Sequence, residues 1–554
     1  MTAAADLRSR VSAWIAADPD PATRAELNAL LSAATPRALA DLEQRFATSL
    51  VFGTAGLRGP LRAGPNGMNR AVVRRAAAGL AAYLDGGGRS GPVVIGYDAR
   101  FGSADFARDT AGVLQATGRA ALLLPAALPT PVLAFAVRHL HAAAGVMVTA
   151  SHNPPGDNGY KVYLGGDGQG GQIVPPADRD IEAAIGAVGP AADVPLDGGY
   201  QVLGDDVLGA YVDRVVGLLA TPGGPDLTIA YTPLHGVGAA VVRAVFGQAG
   251  FASLHVVAEQ EDPDPRFPTV AFPNPEEPGA TDLLLALARA TAADLAIAND
   301  PDADRCAVIG GGRLLTGDEL GVLLADHLMA RGTRPGATFA STIVSSSLLG
   351  VMCGRRGVPY AETLTGFKWI VRAADDVAYG YEEALGYAVA PDLVRDKDGI
   401  SAALLVAEMT AELSARGRSL TDRLDELAAE FGLHATDQLS IRVADLSAIA
   451  AMMAQIRSAP PVELLGRPVN SVEDLLPAAD VVRIRADGVR VVIRPSGTEP
   501  KLKAYLEVVV ETGEHGPAGV PAAREVAAGQ LAEVRAAVAA ALAIEPSCDP
   551  GAGS

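Results

Sequence analysis

One polar segment of this chain has the residues needed to carry a phosphoryl group. In residues 145–161, GVMVTASHNPPGDNGYK, an apolar run leads into Ser151, and Pro154 and Pro155 follow. Proline disfavours helix for the residue before it and lacks a backbone donor. We therefore expect Ser151 to lie on a stiff, exposed loop at the carboxyl end of a strand, where open α/β sheets bind ligands. A serine in an ordinary polar turn is the alternative.

A second segment predicts a metal site. The apolar residues 295–298 run into NDPDADR, in which Asp300, Asp302 and Asp304 alternate. A tight extended turn can point all three carboxylates at one centre, where they would repel each other strongly without a cation. Hard oxygen ligands suit Mg²⁺ or Mn²⁺. A calcium EF-hand is excluded because its loop positions 6 and 12 are Arg305 and Gly311 here; a solvated acidic turn is the remaining alternative.

A third segment predicts an anion-binding loop. The β-branched residues 489–493 form a strand that ends in RPSGTEPK. Arg494, Ser496, Thr498 and the amide of Gly497 could together bind a phosphate. A polar hairpin turn is the alternative.

Several further loops combine glycines, acids and basic residues. FGTAGLRG holds Arg58 among three glycines, which permit close backbone approach to a ligand. Loops at 363–370, 379–387 and 394–399 could bind the hydroxyls and phosphate of a sugar phosphate. Their candidate residues are Thr365, Gly366, Lys368, Glu382, Arg395 and Lys397.

Lysine is scarce in this chain. Only five of the 45 basic residues are lysine: Lys161, Lys368, Lys397, Lys501 and Lys503. Arginine is a planar fork that stays charged, whereas lysine is a compact charge whose pKa shifts readily. A lysine in this arginine-rich background therefore indicates a site that needs one, with chance placement as the alternative.

Composition and charge narrow the class of protein. The chain has 554 residues, 49% of them apolar and 20% charged, which is typical of a globular protein. The net charge of −19 argues against a nucleic-acid partner, since a polyanion binder needs a basic face. Three widely spaced cysteines give neither a zinc nor a disulfide framework. We read no signal peptide and no spanning helix, and we expect a cytoplasmic protein without a membrane partner.

The order of predicted elements indicates an α/β protein of about four domains. Strands at 92–97 and 120–124 flank a helix at about 103–117, and strand–helix–strand order predicts a sheet covered by helices. We predict domains at 1–205, which holds Ser151, and at 206–311, which holds the three aspartates. Further domains are predicted at 312–433, with the sugar-type loops, and at 434–545, with the Arg494 loop. Residues 546–554 form a predicted disordered tail.

Taken together, TASHNP, NDPDADR, the EEALGY loop and RPSGTEPK resemble the four signature loops of the α-D-phosphohexomutases. FGTAGLRG, TGFKW and DKDG are also similar to that family, and the match spans most of the chain in the correct order. The resemblance is strongest to the branch of bacterial phosphoglucomutases, phosphomannomutase-type relatives and phosphopentomutase-type enzymes. It implies four domains around a central cleft: three related α/β domains with mixed sheets flanked by helices, plus a C-terminal α+β domain.

The resemblance also implies an activity. The chain would be a phosphohexomutase that interconverts a sugar 1-phosphate and 6-phosphate, glucose before mannose, through a bound sugar 1,6-bisphosphate. Ser151 would be the phosphoserine, and its phosphate would hold Mg²⁺ together with Asp300, Asp302 and Asp304. The partner would be a small-molecule sugar phosphate, and the protein a monomer or homodimer.

Roles for individual residues follow by motif match. His152, Lys161 and Arg58 would act at the phosphoryl group, and Lys397 is a candidate for acid–base or phosphate contact. Arg305 would act near the transferred group as a substrate-binding residue. The remaining residues expected to contact substrate are Thr365, Gly366, Lys368, Glu382, Arg395, Arg494, Ser496, Gly497 and Thr498.

Two departures from the family pattern concern the sugar. Ala384 stands where many relatives have serine, and Gly386 stands where mannose-active relatives often have histidine. They leave the choice between glucose and mannose open. A phosphopentomutase acting on ribose or deoxyribose 1-phosphate is a further alternative. Two alternatives of other classes are a phosphatase with Asp300 or Asp302 as nucleophile and a silent sugar-phosphate-binding protein.

Overall fold

The computed structural model describes residues 3–53, 56–220, 227–443, 446–496 and 501–542. Two predicted site residues, Gly497 and Thr498, and the predicted tail at 546–554 lie outside the described residues. The chain divides into two compact units. The first comprises Met1–Leu315, Val377–Tyr381 and Leu385–Ala415, and the second comprises Thr316–Asp376, Glu382–Ala384 and Arg416–Ser554.

Three helices open the first unit, as the helical spacing of the apolar residues indicates. They are α1 (Ala3–Ala17), α2 (Pro21–Ala33) and α3 (Pro36–Ala47). Asp20 and Thr35 accept hydrogen bonds from the first-turn amides of α2 and α3, and each of these helices begins with proline. Both features stabilise a helix start. The helices pack on a small apolar core of their own that includes Leu27 and Leu42.

A mixed seven-stranded sheet follows in the same unit. Its elements are β1 (Leu57–Pro60), α4 (Arg70–Gly86), β2 (Val93–Tyr97), α5 (Ser103–Ala116), β3 (Ala121–Leu123), α6 (Thr130–His139), β4 (Ala144–Val148), β5 (Asp157–Leu164), β6 (Gly171–Gln172), α7 (Ala177–Gly186) and β7 (Gln201–Val202). The strand order is β1-β5-β4-β2-β3-β7, with β6 paired to β5. Parallel β2, β3 and β4 are continuous apolar runs because helices cover both faces. Tyr97 pairs with Val148, so the loops after β2 and β4 emerge side by side.

The second sheet of this unit has five strands in the order β12-β11-β10-β8-β9. Its elements are α8 (Asp206–Val216), β8 (Ile229–Thr232), α9 (Gly238–Gln248), β9 (Leu254–Val256), α10 (Ala258–Glu261), α11 (Asp282–Ala290), β10 (Leu295–Ala298), β11 (Ala307–Gly310) and β12 (Arg313–Leu314). β10 is parallel to β8 and antiparallel to β11. The acidic segment NDPDADR therefore forms the connection between two adjacent strands of the sheet.

The third group of elements is divided between the two units. Its elements are α12 (Gly317–Arg331), β13 (Thr338–Thr342), α13 (Leu348–Arg356), β14 (Tyr360–Thr363), α14 (Phe367–Ile370), β15 (Val377–Glu382), β16 (Gly386–Ala388) and α15 (Gly399–Ser414). Thr316 and Glu319 form a capping box at the start of α12. Asp398 caps α15 by accepting hydrogen bonds from the amides of Ile400 and Ser401.

The last group of elements, in the second unit, is α+β. Its elements are α16 (Leu420–Phe431), β17 (Leu433–Arg442), α17 (Leu446–Ser458), β18 (Glu463–Leu464), β19 (Arg467–Asp474), β20 (Val482–Ala486), β21 (Val489–Pro495), β22 (Lys501–Val510) and α18 (Val520–Ala541). The six strands form an antiparallel sheet in the order β17-β22-β21-β20-β19-β18. Apolar residues of α17 and α18 pack against it around Val491 and Leu506. Among all described helices, none has both the length and the apolar character needed to cross a bilayer.

Candidate active site

Ser151 follows β4 in a tight, strained turn. Its φ is 50°, in the left-handed region that residues other than glycine rarely adopt. Its amide donates to Oγ1 of Thr149 at 2.9 Å, which stabilises the turn. Its hydroxyl donates to Oδ2 of Asp300 at 2.6 Å and lies 3.1 Å from Nδ1 of His152. Strain held at one residue is typical of functional loops.

The expectation of an exposed loop is wrong at Ser151 itself, which is only 3% accessible, whereas Pro154 and Gly156 further along the loop are exposed. Its loop packs against the connection between β10 and β11, as the bond to Asp300 and a bond from Thr149 Oγ1 to Asp302 at 3.3 Å show. Residue patterns near Ser151 indicate a strand end, but they carry no information about the second sheet that packs over the loop.

Arg100 binds the backbone of this loop at several points. Its guanidinium donates to the carbonyl oxygens of Ser151 at 2.7 Å, Pro154 at 2.8 Å and Asp157 at 3.2 Å, and also to that of Asn153. Arg100 is 4% exposed and lies over the ring of Phe267. A planar fork of five donors suits this task, since it can bind several carbonyl oxygens at once.

Asp300, Asp302 and Asp304 converge as predicted. One carboxylate oxygen of each lies within 4.8 Å of the others, and all three residues are at most 1% exposed. The alternation places them on one side of the turn, where Ala303 adopts a φ of 53° and its amide donates to the Asp300 carbonyl. The alternative of a solvated acidic turn is therefore wrong, because solvent does not reach these carboxylates.

The two oxygens of each carboxylate have different surroundings. Oδ2 of Asp302 accepts hydrogen bonds from Lys161 Nζ at 2.8 Å and Thr130 Oγ1 at 2.7 Å. Oδ2 of Asp304 accepts from Lys161 Nζ at 3.0 Å. Oδ1 of Asp302 and Oδ1 of Asp304 are buried without a hydrogen-bond partner among the described residues. Buried oxygens that lack a donor, in a set of three carboxylates, fit the oxygen ligands that Mg²⁺ prefers.

Electrostatics separates Asp300 from the other two. Burial, followed by the charges of Asp302 and Asp304, raises the pKa of Asp300 well above its usual value. Burial also opposes the charge of Asp304, but Lys161 and Lys397 outweigh it and hold the pKa of that carboxyl low. The lysines therefore favour the charged form of Asp304. Repulsion from the other two carboxylates disfavours the charged form of Asp300.

Two of the five lysines meet at this triad. Lys161 Nζ binds Asp302 and Asp304, and Lys397 Nζ lies 3.4 Å from Oδ2 of Asp304. Burial lowers the pKa of Lys161, but Asp302 and Asp304 outweigh it and raise that pKa overall. These two carboxylates therefore favour the charged form of Lys161.

His152 and two arginines complete this group in the first unit. Burial, followed by the charges of Arg305 and Arg58, lowers the pKa of His152 well below its usual value. This favours the neutral imidazole, whose Nδ1 lies 3.1 Å from the Ser151 hydroxyl, while that hydroxyl donates to Asp300. Arg58 donates to Oδ1 of Asn153 at 3.1 Å, and the Arg305 amide donates to Oδ1 of Asp300 at 3.1 Å.

The predicted phosphate-binding and sugar-binding residues include a second group, in the second unit. Arg494 is the second-last residue of β21, is half-buried and donates to the Tyr505 hydroxyl at 3.3 Å. The charges of Glu383 and Glu382 both act to raise the pKa of Tyr505. The amide of Ser496 donates to the Lys501 carbonyl at 2.8 Å. A guanidinium such as that of Arg494 can form charge-assisted hydrogen bonds with a phosphate.

The other predicted substrate residues have less specific surroundings. Thr365 and Lys368 are half-buried in the second unit, and Gly366 has a φ of 109° at the start of α14. Lys368 Nζ lies 6.0 Å from the ring centroid of Trp369. Arg395 belongs to the first unit, where burial, followed by the charge of Arg138, lowers its pKa.

Sequence reasoning missed Thr130 and gave Thr149 and Arg100 no role. Thr130 donates through its hydroxyl to Oδ2 of Asp302 and through its amide to the Asp302 carbonyl. Thr149 and Arg100 hold the Ser151 turn. A usable signal existed for all three, because each follows a predicted strand, as Ser151 and Asp300 do.

A buried serine that faces a carboxylate triad on an α/β scaffold defines a phosphotransferase-type site. Models of four phosphoglucomutase/phosphomannomutase domains match the chain in order. The alpha/beta/alpha domains I, II and III match residues 49–190, 210–312 and 316–431, and the C-terminal domain matches residues 439–514. The chain belongs to the phosphoglucomutase/phosphomannomutase family, whose enzymes are mutases, that is, isomerases that transfer a phosphoryl group.

Individual relatives agree with this assignment. A probable phosphomannomutase of Haemophilus influenzae is 46% identical over 80% of this chain and 93% of its own length. A probable phosphoribomutase of Schizosaccharomyces pombe is 35% identical over 90% of this chain and 93% of its own. The crystal structure of a candidate phosphomannomutase from Thermus thermophilus is 29% identical, with a TM-score of 0.69, over 86% and 99% of the two chains.

These findings confirm the predicted family, the mutase class and the four-domain fold class with mixed, helix-flanked sheets. The predicted domain boundaries and the roles of single residues stay predictions.

Proposed function

We propose that this protein is a phosphohexomutase that interconverts a hexose 1-phosphate and 6-phosphate through a phosphoserine at Ser151. The observation that supports it most directly is the position of the Ser151 hydroxyl. It lies 2.6 Å from a buried carboxylate and 3.1 Å from a neutral imidazole, beside two carboxylates with unpartnered oxygens among the described residues. A serine between a base and a metal-type carboxylate set is suited to accept and release a phosphoryl group.

In the forward half-reaction, the bond from phosphorus to Ser151 Oγ breaks and a bond from phosphorus to the sugar O6 forms. The proton of the O6 hydroxyl passes through a basic group of the site to the departing Ser151 Oγ, which is left as a hydroxyl. In the second half-reaction, a bond from phosphorus to Ser151 Oγ forms and the bond from phosphorus to O1 of the 1,6-bisphosphate breaks. The serine proton passes through His152 to O1, which leaves as the hydroxyl of the sugar 6-phosphate. The site must retain the bisphosphate between the two half-reactions. Added from solution, the same bisphosphate would phosphorylate Ser151 and so activate the enzyme.

Asp300, Asp302 and Asp304 would hold Mg²⁺, which when bound neutralises charge on the transferring phosphoryl group. Arg58 and Arg305 supply positive charge near the same group, as their effects on the His152 pKa indicate. Lys161 keeps Asp302 and Asp304 charged. Arg494 and Ser496 bind the phosphate that does not react, and Glu382 contacts sugar hydroxyls.

We propose that the enzyme prefers glucose 1-phosphate as its substrate and accepts mannose 1-phosphate less well. Gly386 offers no side chain where mannose-active relatives often have histidine, and it forms a backbone bridge with Arg305. The similarity to a probable phosphomannomutase supports the second sugar. The similarity to a probable phosphoribomutase favours a pentose 1-phosphate as the second candidate function.

The phosphatase alternative finds little support in the geometry. Asp300 accepts hydrogen bonds on both oxygens, from Ser151 and from the Arg305 amide. Oδ2 of Asp302 accepts from three side chains. Both oxygens of Asp300 are therefore occupied by donors, and in a phosphatase with either aspartate as nucleophile Ser151 would have no function.

The test is a peptide analysis of purified protein combined with phosphate exchange. We expect phosphate on the peptide containing Ser151, and exchange of that phosphate with labelled glucose 1,6-bisphosphate. Turnover of glucose, mannose and ribose 1-phosphates, each with its own bisphosphate, then ranks the sugars. An active enzyme whose Ser151 never carries phosphate would refute the proposal, and exclusive turnover of ribose 1-phosphate would replace it with the pentomutase.

A further inference from the structure

Asp396 is a buried carboxylate with an unusual number of donors. It is 1% exposed and precedes Lys397 in the VRDKDG loop. Its Oδ2 accepts from the Tyr163 hydroxyl at 2.7 Å and from Gln172 Nε2 at 2.8 Å. Its Oδ1 accepts from the Lys397 amide at 2.8 Å and lies 3.3 Å from Lys397 Nζ. We refer to Tyr163, Gln172, Asp396 and Lys397 as the Asp396 cluster.

The Asp396 cluster explains how Lys397 is held next to Lys161 despite their like charges. Lys161 and Lys397 both approach Oδ2 of Asp304, at 3.0 and 3.4 Å, and the charge of Lys397 acts to lower the pKa of Lys161. Two like charges that share one oxygen repel each other. A lysine side chain also has rotational freedom that it loses when it is held in place. An opposing charge and fixed hydrogen bonds are therefore needed to keep Lys397 there.

The sheet itself builds the cluster. Lys161 and Tyr163 are two residues apart on β5, so their side chains leave the same face of the strand. Lys161 reaches Asp302 and Asp304, and Tyr163 reaches Asp396. Gln172 on β6 is the register partner of Tyr163, which brings its amide to the same carboxylate. Burial, followed by the charge of Asp396, raises the pKa of Tyr163, so its hydroxyl stays a donor.

We propose that Tyr163 and Gln172 are positioning residues that act through Asp396 to hold the ammonium group of Lys397 at Asp304. This inference depends on the proposed function, in which Lys397 serves the phosphoryl transfer. It adds to that function three residues outside the predicted site. The Tyr163 hydroxyl donates to Asp396 rather than to the triad or the reacting serine, so its effect reaches them through Lys397.

The chain offers a matched control for Tyr163. The Tyr211 hydroxyl donates to Oδ1 of Asp398 at 2.9 Å, and both residues are buried. Asp398 lies one residue beyond Lys397, but its carboxylate caps α15, whereas Lys397 pairs with Asp304 and Asp396. Tyr163→Phe and Tyr211→Phe therefore each remove one buried hydroxyl that donates to a buried aspartate. Only Tyr163 belongs to the Asp396 cluster.

The experiment compares these variants in the full-length enzyme loaded with Mg²⁺ and glucose 1,6-bisphosphate. We expect Tyr163→Phe to lower kcat by about 10-fold with KM changed less than about 2-fold, and Tyr211→Phe to leave both values near wild type. In a Lys397→Met background, Tyr163→Phe should have no further effect on kcat, because its route to the site has been removed. An equal loss of kcat in both backgrounds, or equal effects of the two tyrosine variants, would overturn the proposal.

A second measurement does not require turnover. Acetylation of lysines by acetic anhydride, followed by peptide mass analysis, reports how accessible each ammonium group is, with Lys161 as the internal reference. We expect Tyr163→Phe, but not Tyr211→Phe, to raise the rate at Lys397 several-fold. An unchanged rate refutes positioning by Tyr163. An accelerated rate in a protein without mutase activity refutes the proposed function and leaves the positioning intact.

Discussion

The Ser151 hydroxyl and the Asp300 carboxylate, 149 residues apart in the chain, are joined by a hydrogen bond of 2.6 Å. This bond connects the loop after β4 to the connection between β10 and β11, so two separate sheets contribute to one candidate site. It also distinguishes Asp300 from its neighbours, since Asp302 and Asp304 direct their Oδ2 atoms to lysine instead. The serine thus faces the carboxylate whose charge is least stabilised.

Removing the hydroxyl tests this centre directly. We expect Ser151→Ala to lower turnover by more than about 10³-fold, because the atom that carries the phosphoryl group is lost. The fold should persist, since the substitution removes one atom from a buried site. Ser253→Ala, which removes a half-buried hydroxyl beside His255, is the control and should retain activity. Turnover is followed by a coupled assay; a rate for Ser151→Ala close to that of Ser253→Ala would contradict the proposed role.

The metal site makes a prediction about affinity. Asp304→Asn removes a charge from the triad and should weaken Mg²⁺ binding by at least about 100-fold, measured by calorimetry on the unliganded enzyme. Chelation of the metal should abolish turnover in the wild type, and added Mg²⁺ should restore it. Asp294→Asn, at an exposed aspartate just before β10, should leave the affinity unchanged. Equal Mg²⁺ affinity in the two variants would show that the triad is not the metal site.

Arg100 is predicted to control the geometry of the serine loop. Arg100→Lys keeps the charge but cannot reproduce a planar fork directed at several carbonyl oxygens. We expect kcat to fall by about 10- to 100-fold, because a displacement of about 1 Å of a reacting group has effects of this size. Arg108→Lys, on the exposed face of α5, is the matched control. If Arg100→Lys retains full kcat, the guanidinium bonds do not position Ser151.

Arg494 is predicted to bind substrate rather than to act on the reacting atoms. Arg494→Ala should raise KM by about 10- to 100-fold while kcat changes less than about 3-fold, since a charge-assisted bond to phosphate contributes roughly 1.5–3 kcal/mol. Arg485→Ala removes an exposed guanidinium of β20 and should change neither value. Steady-state kinetics over a range of hexose 1-phosphate distinguishes the cases. A fall in kcat at unchanged KM would place Arg494 at the reaction itself.

Glu507 makes a prediction about stability against pH. Burial would raise its pKa, but Arg490, followed by His434, outweighs burial and lowers that pKa from 4.5 to about 2. The unfolded chain binds the proton near pH 4.5 and the folded chain only near pH 2. The carboxylate therefore stabilises the fold fully above pH 4.5, by on the order of 3 kcal/mol, and this contribution is lost as the pH falls from 4.5 to 2.

Urea unfolding at several pH values checks this, with Trp369 as the fluorescent reporter in a Trp14→Phe background. Glu507→Gln should be less stable than its parent at pH 7, and the difference in unfolding free energy should shrink as the pH approaches 2. Glu473→Gln removes a half-buried partner of Arg483 and should cost no more than about 1 kcal/mol. A difference for Glu507→Gln that is constant with pH would contradict the assignment.

The site residues divide clearly into those that sequence could locate and those that it could not. The alternation of Asp300, Asp302 and Asp304 after an apolar run is a local pattern. The backbone of a single turn is enough to bring the three carboxylates together. The loop of Ser151 was likewise predictable, because prolines and a strand end constrain backbone within a few residues. Composition also singled out Lys161 and Lys397, although it could not show that both approach the same oxygen of Asp304.

The amino-acid sequence by itself determined the order of strands and helices, the polar loops at their ends, and the family to which the chain belongs. The spacing of apolar residues and the residues that favour turns both act over short stretches of chain, so both can be recognised in the sequence. Only the tertiary structure decided that Ser151 is buried, that Arg100 holds its loop, and that Tyr163 reaches Lys397 through Asp396. These relationships join residues far apart in the chain, and they arise from the packing of sheets, which spacing along one sequence does not encode.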